Sequence, residues 1–168
     1  MTKIWNEAGF VADDPWVIET EETKAGSNEK AILGIEAFLA RVAERDESGL
    51  GVLISPADDV RRLEGHLDRI ALIAVAFPAF SDGRSFSKAE LLRGRHGFAG
   101  AVRATGQVLV DQIAHMLRVG FDEFEVSHPV LLRRLEDGKV GGLGGYYQPA
   151  ARQAPPGPSY AWRRLPAA

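Results

Sequence analysis

The chain contains no cysteine, which excludes disulfides, a Cys-x-x-Cys redox pair and an iron–sulfur cluster held by its own thiolates. It also lacks charge of one sign. Its 20 basic and 23 acidic side chains leave a formal net charge of −3, so no global field recruits nucleic acid or an anionic membrane, and an anion must be met by a local patch. No apolar run approaches the ~18 residues of a membrane span, and the start, "MTKIWNEAGFVADDPW", lacks a cationic segment followed by an apolar core. A soluble cytoplasmic protein is the expectation. His66, His96, His115 and His128 are scattered, without His-x-x-x-His or Glu-x-x-His spacing, so no metal site is expected. Nucleophile-elbow, Walker and dinucleotide fingerprints are missing as well; "GGLGG" (141–145) follows a helical segment and reads as a hinge or tight turn. No cofactor is assigned.

What is there suits one domain: 168 residues, 45% of them hydrophobic, enough for a core that folds alone. The first residues are polar and read as irregular, with "PWVIET" (15–20) as a short strand. Over 28–45, Ile32, Ile35, Phe38, Leu39 and Val42 recur at helical spacing and predict one helix. "GVLIS" predicts a strand, after which Ser55 caps a helix opening at Pro56. "RIALIAVAF" is too uniformly apolar to face solvent on either side, which puts it at the centre of a covered sheet. Ser87 and Glu90 have capping-box spacing for a helix over 88–95. "AVRAT" and "DEFEVS" predict strands, "GQVLVDQIAHMLRV" a helix ending at Gly120, and His128-Pro129 the start of another.

Strands starting near 52, 70, 101 and 123, each followed by a helix, give an α/β fold of successive βα units around a mainly parallel sheet. An open doubly wound sheet and a partial (β/α) barrel both satisfy this; a complete eight-stranded barrel needs roughly 200 residues or more. The domain spans 1–140, and 141–168 form a Gly/Pro-rich arm that is ordered only if Tyr146, Tyr147, Tyr160 or Trp162 finds a groove.

In a parallel sheet the loops leaving the C-terminal strand ends share one edge, where ligands bind. That rim gathers Asp82, Arg84, Ser85 and Ser87 with Arg103, Gln107 and His128, supported by Gly83, Gly106, Asp111 and Gln112. Arginines and a helix N-terminus suit an anion or a carboxylate-bearing surface. The local reading is that Asp82-Gly83 turns the chain, Arg84 pairs with Asp82 or Asp111, and Ser87 caps a helix. Arg103 lies inside a strand and needs a partner there; Asp111 is the expected one.

The stretch "FPAFSDGRSFSKAELLRGRHGFAGAVRATGQVLVDQIAHMLRVGFDEFEV" (77–126) resembles the bacterial family called domain of unknown function 934. The elements that match in order are Phe77-Pro78, Asp82-Gly83-Arg84, Ser87, Leu92-Arg93, Arg103-Ala104 with Gly106, Asp111-Gln112 and Gly120-Phe121-Asp122 with Phe124; Tyr147-Gln148 is similar to the family's terminal Tyr-Gln. Proteins of that family are typically encoded beside assimilatory sulfite reductase and described as oxidoreductases involved in sulfite reduction. The resemblance thus implies a pathway rather than a demonstrated reaction. Val119 stands where the family often has a cysteine. The expectation is an accessory protein that binds sulfite reductase, another sulfur-assimilation enzyme or an oxyanion through the rim. The alternative is an enzyme acting there on a phosphorylated or sulfated small molecule, with Asp82 or His128 as base. A homodimer is compatible with either.

Overall fold

The structure, a computed structural model, describes residues 2–79 and 81–141. The expected C-terminal arm, with Tyr146, Tyr147, Gln148, Tyr160 and Trp162, lies outside the described residues beyond Gly141. Eight strands form one sheet: β1 (Lys3–Asn6), β2 (Gly9–Phe10), β3 (Trp16–Ile18), β4 (Lys30–Gly34), β5 (Leu50–Ile54), β6 (Ile70–Phe77), β7 (Ala101–Gly106) and β8 (Glu123–Val126). Their spatial order is β2-β1-β8-β7-β6-β5-β4-β3. From β3 to β8 all neighbours are parallel, while β1 runs antiparallel to both β2 and β8. Four helices accompany them: α1 (Ile35–Glu44), α2 (Arg84–Glu90), α3 (Ile113–Val119) and α4 (Pro129–Glu136).

The mixed, mostly parallel α/β sheet agrees with the sequence reading, whereas a regular βα alternation does not describe it. Four strands precede the first helix, and two 3-10 turns, Val60–Leu63 and Leu67–Arg69, fill the β5–β6 connection. The helix expected after Ser55 is thereby corrected: Ser55 N donates to Asp58 Oδ2 at 2.7 Å, closing a turn, and Asp59 caps the following 3-10 segment. The "irregular" start is a hairpin in which Trp5 is buried and packs its ring 5.7 Å from that of Phe124. The helix expected over 28–45 is half strand. Ala31, Ile32 and Leu33 are buried on alternate faces of β4, and only from Ile35 does the 3.6-residue stripe of Ile35, Phe38 and Val42 take over. The helix expected from 107 begins at Ile113; the Gln112 side chain accepts from Leu109 N at 3.2 Å and closes a turn ahead of it.

The order of strands dictates curvature. Only residues 11–15 join β2 to β3, which sit on opposite edges of the sheet. A flat eight-stranded sheet would separate those edges by roughly 34 Å at ~4.8 Å per strand step, and such a linker reaches at most about 21 Å. The sheet therefore curls into a half-barrel with the linker strapped across its open side. The partial barrel is the alternative that survives, and the doubly wound sheet does not. All four helices lie on the convex face, where Phe38, Ala89, Leu92, Ile113, Met116, Leu131 and Leu135 join Ile73, Val75, Phe77, Val102, Ala104 and Phe124 in one core. On the concave face Ile32, Leu72 and Ala74 form a second cluster against Trp16, Ile18, Leu53 and Ala101. Residues 70–77 are thus covered on both sides as expected, by helices on one and by the sheet's own curl on the other. Gly51 permits the second cover: a Cβ there would lie 2.9 Å from the Trp16 ring and 2.8 Å from Ile32.

Candidate functional site

The loops after β6 and β7 meet at the sheet's C-terminal edge, where Gln107 N donates to Phe77 O at 2.8 Å. Gly106 makes that approach possible, with φ +95° and room for no Cβ, which would sit 2.6 Å from Phe77 O. Beside it Asp82 grips Arg84: Nε donates to Oδ1 at 2.9 Å and Nη2 to Oδ2 at 2.7 Å, while Arg84 N also donates to Oδ1 at 3.2 Å. These bonds start α2 at Arg84, just after Gly83, four residues before the predicted capping-box start. Ser87 consequently lies inside the helix with its hydroxyl donating to Arg84 O at 2.9 Å, and caps nothing. Ser85 is fully buried and donates to Ala76 O at 2.6 Å, so it ties α2 to β6.

The guanidinium of Arg84 holds the Asp82 carboxyl down to about 2, below the usual aspartate value of 3.8. Asp82 is therefore ionised through the neutral range and committed to its neighbour. Gln107, Asp111 and His128 are exposed, and no hydrogen bond among the described residues joins them to the Asp82–Arg84 pair. His128 occupies the position before α4 without a side-chain cap bond.

Arg103 departs from the expected rim. Its strand position turns it onto the concave face, and its partner is not Asp111. Nη1 and Nη2 donate to Asp14 Oδ2 and Oδ1, both at 2.7 Å, and Nε donates to Glu123 Oε2 at 2.9 Å. Burial opposes this charge, but the hydrogen bonds from Arg103 to Asp14 and Glu123 outweigh it and raise its pKa. The requirement for a buried partner was right; that partner is the strap, 89 residues away in sequence. Next along the same face, Thr105 Oγ1 donates to Glu125 Oε2. Burial raises the Glu125 carboxyl above the ordinary glutamate value, even though Arg103 pulls the other way.

Asp14 and Arg103 line a concave cleft of about 630 Å³, walled by Phe10, Trp16, Ile18 and Ile32 and carrying Thr105 and Glu125 at its polar end. Sequence reasoning missed Asp14, Trp16, Thr105, Glu123 and Glu125. A signal was present in the alternation of "AVRAT" and "DEFEVS", where Arg103, Thr105, Glu123 and Glu125 share one parity and meet through the register Arg103↔Glu123.

Fold and cleft together define a class: an α/β half-barrel with its helices outside and a polar-ended cleft inside. The chain belongs to the family described as "Bacterial protein of unknown function (DUF934)", whose model matches residues 51–157, more than half of the 168 residues. No curated protein matches the chain, and no solved structure does. Several residues of the family resemblance hold the scaffold: Arg93 donates to Gly120 O at 3.0 Å and to Gly100 O at 2.8 Å and pairs with Asp122, whose carboxylate also accepts from Val102 N at 3.0 Å. Among the described residues no helix is long and apolar enough to cross a membrane.

Proposed function

We propose that the chain is a cytoplasmic accessory protein of assimilatory sulfite reduction that docks on a partner enzyme, sulfite reductase or a sulfur-assimilation neighbour, through the Asp82–Arg84 edge. The pathway comes from the family resemblance. The observation that carries the docking reading is the pair itself: Asp82 is locked to Arg84 while the Arg84 side chain stays 66% exposed. A general base must be free and tuned near the working pH, and a carboxyl held near 2 is neither. A free oxyanion would have to compete with the Asp82 carboxylate for the same guanidinium, whereas a protein surface of mixed charge can satisfy both members at once. Recognition by a partner enzyme is therefore favoured over the oxyanion ligand and over an enzyme that uses Asp82.

The test is growth of a deletion strain of the host bacterium on sulfate or on cysteine as sole sulfur source, complemented by wild type or by Arg84→Ala, together with affinity capture of sulfite reductase on the purified proteins. The expected result is failure on sulfate alone, rescued by wild type and not by a stably folded Arg84→Ala that has also lost capture. Normal growth of the deletion on sulfate would remove the pathway from the account, and capture unchanged by Arg84→Ala would remove the edge.

A further inference from the structure

We propose that the concave cleft binds a small amphipathic molecule whose cationic nitrogen pairs with Glu125 while its apolar body lies against Trp16, Ile18 and Ile32. This site is on the opposite side of the sheet's strands from the helices and stands independently of the docking edge. A cleft of about 630 Å³ falls in the size range of small-molecule sites, and its walls are largely apolar, with the Trp16 indole among them. The polar end decides the sign of the ligand. Among the described residues two cations line the cleft, and both are engaged: Arg103 by Asp14 and Glu123, and Lys3 by Glu136 at 3.4 Å. The carboxylates of Asp14 and Glu123 exceed the single charge of Arg103 that they hold, and Glu125 adds a further acidic group that accepts from Thr105 Oγ1 and from a backbone donor of Gly106. An oxyanion or a carboxylate entering at Glu125 meets like charge and, among the described residues that line the cleft, no cation without an acidic partner. An amine meets an acceptor that is half-buried, where a charge-assisted hydrogen bond is strongest.

The shape of the fold also explains why such a site exists. The strap that carries Asp14 closes one side of the curl, and its neighbour Trp16, on the edge strand β3, is placed over the Gly51 gap in β5. The residues that make the cleft thus come from the first twenty positions and from β4, β6, β7 and β8 together.

The experiment is a titration of isotope-labelled full-length protein, followed by NMR, with phenethylamine and with phenylpropionate, which share a ring and chain and differ in the sign of the end group. The amine is expected to shift the Trp16 indole and the Gly106 and Glu125 amides and to bind about tenfold more tightly than the carboxylate, the ratio a single charge-assisted bond supplies. Glu125→Gln should erase that preference while the ring still shifts Trp16. Equal or tighter binding of the carboxylate, an undiminished preference in Glu125→Gln, or no response of Trp16 to millimolar amine would each overturn the proposal.

Discussion

Arg84 and Arg103 are each gripped by an aspartate through two side-chain hydrogen bonds, but Arg84 finds its partner two residues away and Arg103 finds its own 89 residues away. The first pair needs no fold beyond a tight turn, and Arg84 remains 66% exposed. The second forms only when the sheet has curled enough to bring the strap over β7, and Arg103 is left 6% exposed. The same chemistry therefore does opposite work. An exposed local pair contributes little to stability because solvent screens it and the unfolded chain can form it too. A remote buried pair fixes which parts of the chain must meet, and here it fixes the curvature that creates the cleft.

The largest effect is expected at Arg103. Arg103→Met leaves Asp14 and Glu123 facing one another without a counter-charge, and removal of one partner from a buried pair typically destabilises by about 3 kcal/mol or more. Urea unfolding of the full chain should show this loss, together with faster amide exchange across 11–18 than across β6. A melt close to wild type would mean that the strap is held by something else.

A smaller effect of opposite sign is expected at Glu125. Its folded pKa is raised above 4.5 by burial, so the native state binds the proton more tightly than the unfolded chain does. Its ionised form therefore destabilises the fold above that raised value, and the penalty disappears as pH falls through the window down to 4.5. Glu125→Gln should melt above wild type at neutral pH and match it under acid conditions. A variant that melts lower at neutral pH would show that the carboxylate is needed for the fold.

The smallest effect in stability, and the sharpest in spectroscopy, is expected at the local pair. Asp82 is depressed to about 2, so its contribution is present above 3.8 and is lost as pH falls between those values. Arg84→Ala should leave the melting temperature near wild type and return the Asp82 carboxyl towards 3.8 in an NMR titration. An Asp82 that still titrates near 2 without Arg84 would assign its depression to another donor.

Much of the parallel sheet could be read from the chain because its signals are local. Apolar runs such as 70–77 mark buried strands, and Gly120 and Pro129 mark helix ends where they were expected. The errors fall where two readings compete over the same residues. Ile32 fits the helical stripe of 28–45 as well as it fits a strand, and the strand wins because β3 and β5 pair with it on both sides. Ser87 has capping-box spacing, but Asp82 bonds Arg84 first and starts the helix earlier. The hairpin of β1 and β2 went unseen because its support comes from β8, more than a hundred residues on. The candidate site divided along the same line. The Asp82–Arg84 turn is a short-range feature and was found, while the Asp14–Arg103 contact depends on the sheet's closure, and Asp14 carries no local mark of its role.

The measurement that goes to the centre of this account is a double-mutant cycle on Asp14→Asn and Arg103→Met, read by urea unfolding of the full chain beside the same cycle on Asp82→Asn and Arg84→Ala. Strong coupling is expected in the first cycle, with the double variant no less stable than Arg103→Met alone, and near-additivity around zero in the second. Additive losses at Asp14 and Arg103, or a coupling at Asp82 and Arg84 of equal size, would contradict it.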